Sequence, residues 1–248
     1  RIRMTNRPLI DLKHAFDLDE YRMSGVLSGE FHLTGKYQGP FGFGKMTIDR
    51  GVAYGESFET ATSSLRFEGN GVRLDAINVK KGKGALLGAA FIDWDGRYAF
   101  NADGARIPLE NVDAAAYPDL PLFGVVTFSA SGNGTFDEPR YDVKGRIDDF
   151  FVVDEGIGQV NGRLSVRGDM LTIDQLEVAS PRLAVSGTGR INMADEADSD
   201  AELTLRFTDT SLDPYVRLFE PRLSPFTTAI VSGTIRVAGP LGDTTRLR

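Results

Sequence analysis

The chain has 248 residues, of which 41% are hydrophobic and 25% are charged, a balance typical of a folded protein and not of a disordered one. It contains no cysteine, which excludes disulfides, thiolate metal sites and a cysteine nucleophile. Its net charge of −7 gives it no electrostatic attraction to nucleic acid, so we expect no nucleic-acid partner.

The first residues, Arg1-Ile2-Arg3, do not include an initiating Met, and no signal peptide is visible. The longest apolar run, 84–92, is too short to cross a bilayer. We therefore interpret the sequence as an internal fragment, with any targeting or membrane segment outside it. Residues 1–22 are predicted to be the end of a preceding unit or a linker.

An internal repeat begins at Met23. Residues 99 positions apart match repeatedly, and the ungapped agreement over 65–92 is difficult to attribute to chance. The matches include Gly25 on Gly124, Gly35 on Gly134, Pro40 on Pro139, Leu65 on Leu164, Gly69 on Gly168, Val79 on Val178, Gly88 on Gly187 and Ile92 on Ile191. At a separation of 204 residues, Ser28-Gly29 matches Ser232-Gly233. The sequence predicts a first repeat over 23–122, a second over 123–228 and the start of a third over 229–248.

Apolar and polar residues alternate within the repeats, as in 159–168, 182–192 and 202–208. In the first of these, Leu164 and its even-numbered neighbours oppose Arg163 and the other odd-numbered residues. A period of two predicts strands with one dry and one wet face, which is typical of antiparallel sheet. The 28 glycines, spread along the chain, favour turns and many strands. The fold class is therefore predicted to be all-β.

Two segments between the repeats resemble short helices. Residues 108–117 begin with a proline and are followed by Pro118, and residues 211–219 begin with Ser211, a suitable N-cap, and end before Pro221. We predict that each forms a short helix at the end of its repeat.

No nucleophile elbow, phosphate-binding loop or zinc-protease motif occurs, so we expect neither an enzyme nor a cofactor or metal site. Of the two histidines, His14 and His32, the second is predicted to be solvated on a polar strand face. The acidic stretch 195–200 lacks the glycine-containing pattern of calcium loops and is better explained as a solvated turn. Asp-Gly pairs predict hairpin turns at 93–96 and 101–104.

The order of these motifs resembles the AsmA-like superfamily, and within it the TamB-type translocation and assembly proteins. The resemblance covers Met23 to the end, and it is carried by Ser28, Gly29, Gly35, Pro40, Pro108-Leu109-Glu110, Gly124, Gly134, Pro139, Ser186-Gly187, Gly189 and Ser232-Gly233. It implies repeated antiparallel units curled into an elongated open groove, a half-barrel, with short helices between repeats. It also implies a periplasmic protein anchored in the inner membrane by a segment outside this sequence.

The function that this resemblance implies is transfer of phospholipid acyl chains along an apolar groove between the inner and outer membranes. The implied partners are phospholipids, further copies of the repeat, and an outer-membrane assembly protein. The residues predicted to line the groove share the apolar phase of the alternation: Leu27, Phe31, Leu33, Leu65, Phe67, Leu87, Phe91, Val160, Leu164, Val166, Leu183, Val185, Leu203, Leu205, Phe207, Ile235 and Val237. Inner-face glycines such as Gly162, Gly187 and Gly189 fit a groove with space left in it.

From the residues alone, a dry core between two packed sheets explains the apolar faces as well as a groove does. The alternative function is therefore a scaffold of sandwich units whose sheet edges bind a protein partner, such as one engaged in outer-membrane protein assembly. A β-helical polysaccharide-active enzyme fits poorly, because such folds repeat every 20 to 30 residues or so and this period is far longer.

Overall fold

The computed structural model describes residues 1–15, 21–36, 38–117, 120–194, 200–211 and 230–240. Within these ranges the chain forms one short α-helix, α1 (Leu9–Ala15), and two 3-10 turns, Leu109–Asn111 and Asp113–Ala115. The rest is mostly strand. The strands are β1 (Ile2–Pro8), β2 (Met23–Lys36), β3 (Gly39–Ala53), β4 (Glu56–Glu68), β5 (Gly71–Lys81), β6 (Gly84–Asp93), β7 (Arg97–Pro108), β8 (Leu122–Thr135), β9 (Pro139–Val152), β10 (Glu155–Arg167), β11 (Met170–Ala179), β12 (Ala184–Asn192), β13 (Asp200–Ser211) and β14 (Ile230–Pro240).

The strands form a single antiparallel sheet whose order follows the sequence from β1 to β14. Each strand pairs with the strand that precedes it, so most connections are tight hairpins and the arrangement is a continuous meander. The sheet is open, because β1 and β14 are its two ends and do not pair with each other. The prediction of an all-β fold of antiparallel units is confirmed.

The repeat is visible in the backbone. Each of β8 to β11 begins 99 or 100 residues after its counterpart in β2 to β5. The amide of Gly69 donates to the carbonyl of Pro40 over 3.0 Å, and the amide of Gly168 donates to that of Pro139 over 2.8 Å. Gly35, Gly134 and Gly239, at matching positions, all have positive φ. This conformation favours glycine, which explains why these glycines recur. A repeat-like architecture is therefore confirmed.

The chain divides into two compact units. Unit 1 comprises Arg1–Ala116 and Val126–Phe136, and unit 2 comprises Tyr117–Val125 and Asp137–Arg248. The division falls inside β8, so it is not the same partition as the predicted repeats. The repeat limits derived from the sequence stay a prediction.

In unit 1 the sheet curls so strongly that it covers part of its own apolar face. The ring of Tyr21, just before β2, packs edge-on against Phe136, just after β8, with 5.4 Å between centroids, and Phe136 also contacts Tyr98. The apolar side chains that are buried in the described part of unit 1 include Leu27, Phe31, Ile48, Tyr98, Ile107 and Leu109.

Unit 2 buries much less of its apolar surface. Among its described residues the buried apolar side chains are Leu183 and Ala201, and the strand residues of β9 to β12 are at most half-buried. No second layer of described residues covers its apolar face. A closed two-sheet sandwich is therefore not what the described part of unit 2 forms.

Four local predictions need correction or cannot be compared. Residues 108–117 form two 3-10 turns and no α-helix, because Val112 between them has an extended backbone. Residues 101–104 lie inside β7 and are not a turn, whereas the turn predicted at 93–96 does connect β6 to β7. The helix predicted over 211–219 and the acidic turn at 195–200 lie outside the described residues, apart from Ser211 in β13 and Asp200 at its start. Helix α1 was not predicted, although Pro8-Leu9 repeats Pro108-Leu109.

Candidate functional site

The apolar face of unit 2 is built from residues that lie directly opposite one another across β9 to β14. The pairing register places them in four parallel rows. Directly paired residues project to the same face, so each row is a strip that runs across the strands. The rows are Ile147, Val160, Val178, Val185 and Phe207; Gly145, Gly162, Leu176, Gly187, Leu205 and Ile235; Val143, Leu164, Ile173, Gly189, Leu203 and Val237; and Tyr141, Val166, Leu171, Ile191, Ala201 and Gly239.

No charged side chain stands in any of these four rows. The charged residues of the same strands project to the opposite face, where Arg163 and Arg167 are exposed and Arg167 donates to Asp142 over 2.7 Å. Rows lie two residues apart, or about 7 Å, so four rows span about 20 Å along the strands. Unit 2 therefore presents a continuous apolar surface whose side chains are mostly half-buried.

The structure brings together most of the residues predicted to line a groove. In unit 2, Val160, Leu164, Val166, Val185, Leu203, Leu205, Phe207, Ile235 and Val237 all stand in the four rows, and Leu183 is buried just before β12. In unit 1, Leu27, Phe31, Leu33, Leu65 and Phe67 share the equivalent face. Whether any of them contacts a lipid stays a prediction.

Two of the predicted lining residues, Leu87 and Phe91, lie on the opposite face. Leu87 pairs with Asn78 and Asp103 and is 54% exposed. Phe91 pairs with Arg73, whose guanidinium lies 5.1 Å from the centre of its ring. The prediction was wrong because β6 is apolar at both phases up to Ile92, and its one polar residue, Asp93, stands at the very end of the strand. Leu86, Ala90 and Ile92 take the apolar face instead.

Strands β9 and β11 also contribute to this face, which their sequence pattern did not predict. A β-bulge shifts the register between Ile173 and Leu176, so the apolar residues of β11 are not evenly spaced in sequence. The same shift occurs between Leu74 and Ile77 in β5, 99 residues earlier. The sequence of a single strand does not reveal the bulge, but a comparison of the two repeats could have done so.

Fewer of the inner-face glycines leave open space above the apolar face than the sequence pattern predicted. The position that a Cβ would take at Gly187 is occupied by the end of Leu205, and the one at Gly189 by the end of Leu203. At Gly162 the nearest atom is the carbonyl oxygen of Gln175 at 3.9 Å. Leucines therefore lean over two of the glycines, and only Gly162 among these three leaves an open depression.

In unit 1 the two 3-10 turns that follow β7, here called the strap (residues 109–115), are tied to β4 and β5 by polar contacts. Leu109 is buried at its start. The carboxylate of Glu56 accepts hydrogen bonds from the backbone N–H groups of Asp113 and Ala114, and Asp113 accepts from the hydroxyl of Ser57 over 2.6 Å. Lys81 bridges both carboxylates, at 2.7 Å from Glu56 and 3.1 Å from Asp113.

This polar network perturbs both carboxyl groups. The hydroxyl and the N–H of Ser57, together with Lys81, lower the pKa of Asp113 from 3.8 to about 2. Burial raises the pKa of Glu56, but the hydrogen bonds from Lys81 and from the strap backbone outweigh it and the net shift is downward. These groups hold the strap in place by charge and are engaged with one another, which suits a structural role better than acid–base catalysis.

Other kinds of site find little support in the described ranges. No cluster of three or more histidine, aspartate or glutamate side chains there is arranged to hold a metal ion. No helix formed by those residues has the length and hydropathy needed to span a membrane. His32 lies on the polar face as predicted, where it stacks on Phe43 at 4.9 Å and contacts Glu30 at 2.8 Å.

Comparison with protein-family models, with curated proteins and with solved structures finds no match for this chain.

Proposed function

We propose that the apolar face of unit 2 binds the acyl chains of phospholipids, and that the chain is a segment of a bridge-like lipid-transfer protein. In this proposal it works in the periplasm between the inner and outer membranes, within a longer protein anchored in the inner membrane. The observation that carries the proposal is an apolar surface, about 20 Å wide, that is uncharged in all four rows and is mostly half-buried, with no second layer of described residues over it.

The physical basis is burial of methylene groups without chemistry. A fully buried methylene contributes about 0.8 kcal/mol, and a surface that covers one side of a chain recovers about half of that. For a chain of about sixteen carbons the gross contribution is about 6 kcal/mol, from which the cost of association must be subtracted. The net affinity is moderate, as a conduit requires, since a lipid held too tightly would not move on.

Lipid capture in cells tests the proposal directly. A photo-crosslinking residue at position 164 or 185, on the apolar face, should form adducts with phospholipid. The same residue at position 163 or 186, which point to the other face, should form none. Mass spectrometry of the purified chain should also detect co-purified phospholipid. Absence of lipid from both the adducts and the purified chain would refute the proposal.

The second candidate function is a scaffold that recruits a protein partner through a sheet edge. It is favoured by β14, which pairs with β13 along one side and is the last strand in the order of the sheet. An exposed strand edge is a template for strand addition. In that case a photo-crosslinking residue placed in β14 would capture a protein partner. The same residue at position 164 would yield no lipid adduct.

A further inference from the structure

Strand β6 is apolar on both of its faces, although only one of them faces the interior of unit 1. Leu86, Ala90 and Ile92 stand on the apolar face, while Ala85, Leu87, Ala89 and Phe91 stand on the other. A continuous apolar run is typical of a strand that is covered on both sides. On this second side Leu87 is 54% exposed, whereas Ala85, Ala89 and Phe91 are half-buried.

The second repeat acts as an internal control for this feature. The residues of β12 that correspond to Leu87, Ala89 and Phe91, 99 positions later, are Ser186, Thr188 and Arg190. β12 pairs with β11 in the same register as β6 pairs with β5: Gly88 lies opposite Ile77, and the matching Gly187 lies opposite the matching Leu176. The fold therefore does not require apolar side chains on this face, and the strip on β6 needs another explanation.

A depression of about 750 Å³ lies beside Leu87 on this outer face, between β4 and β7. Its lining includes three cations, Lys80, Lys83 and Arg106, and one carboxylate, Asp103. Lys80 is 3.4 Å from Glu59, and Asp103 accepts a hydrogen bond from Ser129. The depression is thus net basic in a chain whose overall net charge is −7.

Two of the three cations are specific to the first repeat, whereas Lys83 corresponds to another cation, Arg182. The residue matching Lys80 is Ala179. Arg106 lies two residues before the end of β7 with a positive φ, and the residue at the same place in β13, also with a positive φ, is Asp209. The apolar strip and two of the three rim cations therefore occur together in unit 1 and are absent at the matching positions of the second repeat.

We propose that this surface, the β6 strip with its basic rim, binds an acidic amphipathic helix of a partner protein. The strip from Ala85 to Phe91 is about 20 Å long, which matches about thirteen residues of helix. Apolar side chains spaced at i, i+3 or i+4 and i+7 would lie along the strip, and carboxylates beside them would face Lys80, Lys83 and Arg106.

Fluorescence anisotropy with two labelled model peptides tests the inference. Both are sixteen-residue amphipathic helices with leucines at the same positions, and their polar faces carry glutamate in one and lysine in the other. The intact chain should bind the glutamate peptide and not the lysine peptide. Leu87→Ser should weaken binding at least tenfold, and so should Lys83→Glu. Ser186→Ala, at the matching position of unit 2, should change nothing.

The variants are expected to fold, because Leu87→Ser introduces the residue that β12 already carries, and circular dichroism melting checks this. The inference is overturned if the glutamate peptide does not bind, if Leu87→Ser binds it as well as the unmodified chain, or if both peptides bind equally. It is also overturned if vesicles of phosphatidylcholine and phosphatidylglycerol bind the chain in a way that Lys83→Glu abolishes, since the surface would then be a membrane contact.

Discussion

The substitution Leu164→Asp separates a lipid-binding surface from a structural core. Leu164 is half-buried in β10, opposite Val143 and Ile173 on the apolar face. Full burial of a leucine contributes about 1.5–3 kcal/mol, so loss of a half-buried one costs about 1 kcal/mol. A lower β-propensity adds up to about 1 kcal/mol. The new carboxylate keeps its water, because the face is open, and the chain should stay folded.

The outcome changes when a lipid chain covers the site. The carboxylate would then lose water without gaining a partner, since the four rows carry no basic side chain. Leaving a charged group buried and unpaired costs more than about 3 kcal/mol. Each 1.4 kcal/mol changes an affinity tenfold, so lipid binding should fall by about 100-fold or more.

Native mass spectrometry of lipid-loaded protein, with circular dichroism melting alongside, measures both effects. The matched control is Arg163→Asp, the adjacent residue on the exposed face, which should keep both lipid content and melting temperature. If Leu164→Asp unfolds the chain while Arg163→Asp does not, the face is a closed core and the lipid proposal is refuted. If Leu164→Asp folds and still carries lipid, acyl chains do not pass over β10.

Three further predictions concern stability. Gly162→Val should be tolerated or stabilising because the space above Gly162 is open, whereas Gly187→Val should lower the melting temperature because the new side chain meets Leu205. Equal melting curves for the two variants would contradict the described packing. The strap should loosen in acid, because the lowered pKa of Asp113 contributes stability above its ordinary pKa of 3.8, and this stability is lost as the pH falls through about 2. Asp113→Asn should therefore flatten the fall in melting temperature between pH 4 and pH 2, and an unchanged slope would show that the network does not cause that fall. Val153 has a φ of 59°, which strains a β-branched residue, so Val153→Asn should raise stability by about 1 kcal/mol in urea titrations, and a loss of stability would show that its side chain is needed.

The sequence by itself determined the class of fold, the phase of most strands and the repeat. Where polar and apolar residues alternate, as from Val160 to Arg167, burial of one face fixes which side chains share it, because a slip of one residue would reverse every side chain. The glycines that recur 99 residues apart mark positions where the backbone needs a positive φ, as at Gly35 and Gly134.

Only the tertiary structure decided the phase of β6, the bulge of β11 and the difference between the two units. Leu86 and Leu87 are chemically identical, so only the hydrogen-bonded register shows that the second faces outward. The exposure of an apolar face depends on contacts between residues far apart in sequence, such as that between Tyr21 and Phe136. Local periodicity does not encode that contact, which is why the sequence left a closed core and an open surface equally possible while the described part of unit 2 is open.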